Sequence, residues 1–279
     1  MARVELPVSK LRARRRRRRM LGIFFIVLAL VALAAGLAAL SWAPFMRIQQ
    51  IEVQGASSVN PDAVEQEVRG LVSGTYGGIV PRDNILLYPK AAIRAALLAH
   101  YPVFGIVTLS GEGLQGVRVD IVERTTHALW CGEGSEVSPS CLAVDEGGMA
   151  YALAPDFSDP VYTRYVGSLA AGPLPRQFLT PAQFRTLSAF VGEFSKKISS
   201  STVSAVQVGD DGEVRVTTTG GFTLIFLLSD NGADVLERFS LALGAAPFAG
   251  RALSDFEYLD LRFGDKLYYK LRGAVEASE

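Results

Sequence analysis

Between Met20 and Ala43 the chain runs MLGIFFIVLALVALAAGLAALSWA, without one Asp, Glu, Lys or Arg. As an α-helix such a stretch is about 36 Å long, enough to cross the ~30 Å hydrocarbon core of a bilayer. Arg14 to Arg19 abut it, and a basic flank of this kind is held in the cytoplasm. The N-terminus is therefore expected inside and everything after Pro44 outside, in the manner of a single-pass plasma (inner) membrane protein. A cleaved secretory signal shares this polarity but has an apolar core of only about 7–15 residues, so the length argues for a retained anchor. Flush against the span, the arginines read as contacts to anionic lipid heads rather than as a nucleic-acid patch. Within the span, Ala32 and Gly36, and Ala35 and Ala39, have the spacing of close-packing helix pairs, which allows weak self-association.

Formal charge sums to zero over 279 residues, yet Met1 to Arg19 holds nine basic residues against one acidic, leaving the remainder net acidic by eight. A region of that sign is not built to bind nucleic acid. About 230 residues follow the span, room for one large or two small domains. Cys131 and Cys141 are the only cysteines, both on the side where thiols oxidise. A disulfide between them would close a short loop and contribute about 3 kcal/mol; two free thiols are the alternative. A metal site is disfavoured, because the only histidines, His100 and His127, are isolated from them and from each other.

Residues 1–13 lack periodicity and are expected to be disordered. After the span, Ile48, Gln50 and Glu52 alternate with Gln49, Ile51 and Val53 as a short strand ending at Gly55. Asn60-Pro61 opens a helix carrying Val64, Val68, Leu71 and Val72, a glycine loop spans Gly74 to Gly78, and a second helix runs from about Pro89 to His100. Val103–Leu109 and Leu114–Val122 read as strands. Between them Gly111-Glu112-Gly113-Leu114-Gln115-Gly116 matches the dinucleotide fingerprint literally, but it opens a strand where that fingerprint must open a helix, so it is a hairpin turn.

Strand, helix, helix and strand pair is the order of a polypeptide-transport-associated (POTRA) module. Placed after a single span and followed by Val119-Asp120-Ile121-Val122-Glu123-Arg124 and Ala128-Leu129-Trp130, it resembles the start of the bacterial cell division FtsQ/DivIB family. The proline that usually follows Glu-Arg is missing at Thr125-Thr126-His127, but Val144-Asp145-Glu146-Gly147-Gly148 supplies the family's second signature, and an insertion holding both cysteines lies between.

From Met149 onward strands and turns take over. Pro155, Pro160, Gly172, Pro173 and Pro175 punctuate an expected surface loop, and Thr180-Pro181 opens a helix whose Phe184, Leu187, Phe190, Val191 and Phe194 read as core. A hairpin follows over Val203–Val208 and Val214–Thr218, then a strand from Phe222 to Leu228. Ser229 or Asp230 is the expected cap of a helix bearing Val235, Phe239 and Leu243. The closing stretch, Tyr258-Leu259-Asp260-Leu261-Arg262-Phe263-Gly264-Asp265-Lys266-Leu267-Tyr268-Tyr269-Lys270, is two strands about a Gly-Asp turn and is similar to the end of the FtsQ β domain.

The expected class is α+β: a basic tail over 1–19, a transmembrane helix over 20–43, a POTRA-like domain over 44–124, an FtsQ-type mixed β domain with flanking helices over 125–271 and a tail over 272–279. No nucleophile–base pair, P-loop, H-E-x-x-H or G-x-S-x-G is present, so no enzyme is expected and no catalytic residue or cofactor is assigned. The resemblance implies a divisome scaffold at the septum. It would bind bitopic coiled-coil proteins of the FtsB and FtsL type and other divisome components, and help control septal wall synthesis. If the last hairpin lies at a sheet margin, Lys266 to Lys270 would accept a partner strand, with Phe263, Leu267, Tyr268 and Tyr269 as anchors; Lys266 and Lys270 alternatively guard the edge against aggregation. The rival readings are a POTRA-bearing adaptor of an export machine and, further off, a membrane-tethered wall hydrolase.

Overall fold

Helix α1 (Val8–Ser41) takes in both the apolar stretch and the arginine run, and over Arg14–Ser41 it is long and apolar enough to cross a membrane. The computed structural model describes residues 8–132, 140–155, 162–198, 201–264 and 266–273. Val8 to Ala13, expected to be disordered, are helical: arginine is a good helix former, and a helix already nucleated by the span extends through it at little cost. The rest of the expected disordered tail lies outside the described residues. The chain divides into two units, the first comprising residues 1–98 and 106–122 and the second residues 99–105 and 123–279.

In the first unit, α1 ends in a hydrogen-bonded joint. Asn84, 1% exposed, donates from Nδ2 to the Ser41 carbonyl at 3.0 Å, satisfying one of the orphan acceptors at the helix terminus, while its Oδ1 accepts from Leu86 N at 3.0 Å. Trp42 Nε1 donates to the Ile79 carbonyl at 2.7 Å, and Met46 at the end of a 3-10 turn (Pro44–Met46) accepts from Ile85 N at 2.8 Å. Arg47 pairs with Asp83 at 2.7 Å, and that carboxylate raises the arginine's affinity for its proton.

Strand β1 (Gln50–Gln54) follows, then α2 (Pro61–Leu71), a two-rung ladder of β2 (Thr75–Tyr76) and β3 (Val80–Pro81) inside the glycine-rich loop, α3 (Lys90–His100), β4 (Phe104–Glu112) and β5 (Gly116–Glu123). Asn60 caps α2 by accepting from Asp62 N, and Pro61 occupies the first turn, where its missing N–H costs nothing. The sheet order is β1-β5-β4, with β1 parallel to β5 in the register Ile51↔Val117 and Val53↔Val119. Val64 and Val68 of α2 and Ile93 and Leu97 of α3 are buried, as are Ile51, Val107, Val117 and Val119 of the strands. Gly55 has φ +82°, and a Cβ there would stand 2.0 Å from the Ile121 carbonyl oxygen, so no other residue fits. The Gly-rich match at 111–116 is the end of β4, a turn and the start of β5.

In the second unit a ten-stranded mixed sheet is built from β6 (Ala128–Trp130), β7 (Leu142–Val144), β8 (Met149–Leu153), β9 (Arg164–Gly167), β10 (Arg176–Gln177), β11 (Val203–Val208), β12 (Glu213–Thr218), β13 (Thr223–Leu227), β14 (Phe256–Phe263) and β15 (Lys266–Leu271). The spatial order is β10-β8-β7-β6-β9-β11-β12-β13-β14-β15. Two helices cover one face. In α4 (Pro181–Lys197), Thr180 and Gln183 form a reciprocal capping box, and Phe184, Leu187, Phe190, Val191 and Phe194 are buried. In α5 (Gly232–Gly244), Val235, Phe239 and Ala242 are buried. These side chains share one core with Tyr165, Val206, Val214, Val216, Leu224 and Leu259, the inward set of strands whose alternate residues face away.

Two expectations need correction. The stretch from Pro155 to Pro175 is no surface loop throughout, because Arg164–Gly167 is the central strand β9, parallel to both β6 and β11, with Tyr165 and Val166 buried. Nor do Ser229 or Asp230 cap α5: Asn231 does, accepting from Ala233 N, while Asp230 accepts from Leu227 N at 3.1 Å and faces Arg238 at 3.7 Å.

Arg124 and Asp145, from the two stretches that carry the family resemblance, form an ion pair, and Asp145 Oδ1 also accepts from Gly147 N at 2.8 Å and Met149 N at 3.0 Å. Cys131 and Cys141 lie one register step beyond the Trp130↔Leu142 pair, opposite each other, and are joined as a disulfide with Cα atoms 4.2 Å apart. Residues 133–139 of the insertion they close lie outside the described residues, as does Asp265.

Candidate partner-binding edge

The terminal hairpin begins where α5 returns the chain to the sheet. A crossover helix permits parallel pairing, and β14 accordingly lies parallel to β13, in the register Leu224↔Leu259. β15 then folds back antiparallel to β14, with Leu259↔Tyr269 and Asp260↔Tyr268 opposed. Among the described residues β15 pairs with β14 alone and is the last strand of the sheet. Alternate backbone N–H and C=O groups along an edge strand face outward and are unpaired by the sheet.

The side chains of β15 divide between the two faces. Tyr269 stands on the helix-covered face, its ring 5.4 Å from Phe248 and 6.1 Å from Phe256, and still 41% exposed. Tyr268, on the open face and 51% exposed, meets Phe263 edge to face at 5.0 Å. Lys270 pairs with Glu257 at 3.2 Å across the hairpin. Leu267 and Phe263 are exposed, as is Lys266. Of the residues expected to receive a partner, Phe263, Lys266, Leu267, Tyr268, Tyr269 and Lys270 all sit on this one hairpin at the margin.

Each face of the edge offers a groove. On the helix side a cavity of about 340 Å³ is lined by Arg238, Leu241, Ala242, Ala245, Leu261 and Leu267. On the open side one of about 430 Å³ is lined by Arg215, Ile225, Tyr258, Asp260, Arg262 and Tyr268. An added strand would lay its side chains alternately on the helix side, beside Leu267 and Tyr269, and on the open side, beside Tyr268, so its sequence would be read at both parities.

The charged groove is fixed by a ladder of ions. Arg262 grips Asp260 with Nε at 3.0 Å and Nη2 at 2.7 Å, and also pairs with Glu213, which pairs with Arg215. Burial pushes the Asp260 carboxyl up, but the side-chain and backbone hydrogen bonds from Arg262 and the charges of Arg262 and Arg215 outweigh it and hold the group below the ordinary carboxylate range. The same hydrogen bonds raise Arg262. Fixed in this way, Arg262 also lies over the Phe263 ring at 5.4 Å.

Arg238 and Leu241 of α5 and the Glu213–Arg215 pair of β12 escaped sequence reading as groove residues. Leu241 left a trace: it is apolar but falls off the Val235-Phe239-Ala242 stripe, where a helix has no core to bury it in. The two histidines are not brought together. His100 stacks on Tyr101 at 4.7 Å, and His127 meets Phe184 edge to face at 6.1 Å. Among the described residues no group of three or more His, Cys, Asp or Glu is arranged to hold a metal ion. The chain matches no protein-family model, and no curated protein matches its sequence.

Proposed function

We propose that this protein is a bitopic scaffold of the bacterial division machinery, similar to FtsQ, that holds bitopic coiled-coil subunits of the FtsB and FtsL type at the septum by adding a partner strand to β15. The observation that carries this reading is the terminal hairpin, a six-residue edge strand with Leu267, Tyr268 and Tyr269 exposed beside it and a groove on each face. The β1-β5-β4 sheet with α2 and α3 between β1 and β4 supports a POTRA-like module, and the Arg124–Asp145 pair gives the two family-like stretches a common structural purpose. Retention of α1 is supported by Asn84, whose buried amide would lose its partner if the helix end were cleaved away. The mechanism is association: main-chain hydrogen bonds supply affinity and side-chain grooves supply selectivity. The module would engage further divisome components and so help govern wall synthesis.

Co-purification of the full-length protein with the FtsB-type coiled-coil protein of the same organism tests this. Wild type is expected to retain the partner. Tyr268→Pro, which distorts the edge backbone, and Leu267→Asp, which leaves the backbone intact and charges the apolar groove, are each expected to weaken retention at least ~10-fold, the order of a modest hot-spot loss. Retention unchanged in both variants, or no retention by wild type, would overturn the proposal.

A further inference from the structure

At the foot of the first unit several apolar side chains are exposed among the described residues: Trp42, Phe45, Ile79, Leu86, Leu87 and Leu114. Scattered exposed leucines need no explanation, but these share a location. Trp42 lies one residue beyond the end of α1 and is hydrogen-bonded to the Ile79 backbone, and Phe45 is in the turn that follows. Asn84, two residues before Leu86, is bonded to the last turn of α1 at Ser41, and Ile85 N reaches the Met46 carbonyl. Leu114 tips the β4–β5 turn, whose Gln115 donates from Nε2 to the Pro44 carbonyl at 3.1 Å. All are thus tied by one or two bonds to the place where α1 leaves its apolar stretch, and they continue the exposed apolar surface of Leu37 and Leu40.

The polar groups among them fit a headgroup layer. Arg47 lies 5.9 Å from the Trp42 ring centre and Arg82 lies 5.2 Å from that of Tyr76, while Tyr76 donates to the Leu87 carbonyl at 3.1 Å. Aromatic rings with an adjoining cation are the residue types enriched at bilayer interfaces. A water-facing surface gains nothing from Ile79, 63% exposed, or Leu86, 71% exposed, whereas a surface pressed on lipid does.

We propose that Ile79, Leu86, Leu87 and Leu114, with Trp42 and Phe45, form a foot that seats the first unit on the lipid bilayer, in the leaflet where α1 emerges. The occupant is lipid because the patch continues a helix that the proposed function already places in the membrane, and the inference rests on that part of the proposal. The foot limits how far the module can lean about the end of α1, and so the directions in which it can present its sheet.

Depth-dependent fluorescence quenching tests this on the full-length protein in vesicles of phosphatidylcholine and phosphatidylglycerol. With Cys131 and Cys141 bonded, an environment-sensitive fluorophore is attached to one added cysteine at a time: Ile79→Cys, Leu86→Cys, Leu114→Cys, Leu30→Cys within the span, and Val122→Cys. Val122 is exposed near the opposite end of β5, about 20 Å from Gly116 at ~3.3 Å per strand residue. Leu30 should be quenched by lipid spin-labelled deep in the acyl chain, positions 79, 86 and 114 by lipid spin-labelled near the headgroup, and Val122 by neither. If Leu30 is quenched while 79, 86 and 114 behave like Val122, the foot is refuted and the span stands. If Leu30 is not quenched, the span itself fails and the foot with it. Quenching of the three positions only after a partner protein is added would also refute direct lipid seating.

Discussion

The ten-stranded sheet has two ends, and they are finished differently. At one end β10 has only two residues, Arg176 and Gln177, and the Gln177 side chain turns back to donate to the Gly147 carbonyl at 2.8 Å and to the Leu179 carbonyl. Its short ladder offers an incoming strand almost nothing to pair with. At the other end β15 runs for six residues with exposed aromatic and aliphatic side chains. Proteins ordinarily blunt sheet edges by shortening them, and this chain does so at one margin and omits it at the other. The two margins differ in the length of the last strand and in the apolar surface beside it, and the proposed strand addition rests on that difference.

Both margins depend on the core common to the sheet, and its loss should have the largest effect. Phe239→Ala deletes a fully buried ring packed 5.2 Å from Phe194, and a loss of about 3–5 kcal/mol is expected in urea unfolding, with partner retention lost as well. A smaller effect should come from the ion ladder beneath β15, where Asp260→Ala removes one of the two carboxylates that hold Arg262 and is expected to cost about 1.5–3 kcal/mol, typical of hydrogen bonds to charged groups.

That contribution should depend on pH. The folded carboxyl of Asp260 titrates below its ordinary value of 3.8, so the unfolded chain binds the proton more readily. The stabilisation is therefore complete above about pH 5 and is lost as pH falls below 4 and through the folded value. Urea midpoints measured from pH 6 to pH 3 should fall more steeply for wild type than for Asp260→Asn; parallel curves would remove this residue from the ladder's energetics.

Two side-chain changes sharpen the contrast between the margins. Tyr268→Ala should weaken the partner complex by about 2 kcal/mol, the lower bound of a hot spot, while shifting the unfolding midpoint very little. Gln177→Ala should do the reverse. It forfeits hydrogen bonds at the closed end, for a stability loss of about 1 kcal/mol, and leaves partner affinity unchanged in the same titration. Equal effects of the two on affinity would erase the distinction.

What sequence made legible was what is decided locally. Asn60-Pro61 and Thr180-Pro181 announce helix starts because an N-cap and a first-turn proline act on their own few residues, and the 258–270 hairpin is declared by its alternation and turn. β9 was hidden because its four residues, flanked by turn formers, are too few to show a period. Their role as a central strand comes from parallel partners about 35–40 residues away at both β6 and β11, pairings that no local pattern encodes. The cap of α5 was ambiguous among three successive cap-type residues, and it was settled by Asp230 being committed to Leu227 and Arg238. The edge position of β15 could be read only conditionally, since being last in sequence does not make a strand last in a sheet. The α5 crossover, which lays β14 beside β13, makes it so.

The joint at Ser41 and Asn84 has a mechanical consequence. There is no slack tether between α1 and the β1-β5-β4 sheet, so helix and module act as a lever. Spanning helices tilt by about 20° on average, and with about 20 Å between Gly116 and Val122 of β5, a module that followed such a tilt would carry the far end of that strand sideways by up to about 7 Å. A change in bilayer thickness, or a second helix leaning on α1, would then be felt as a displacement at the top of the module, in the way a mast reports the roll of a hull.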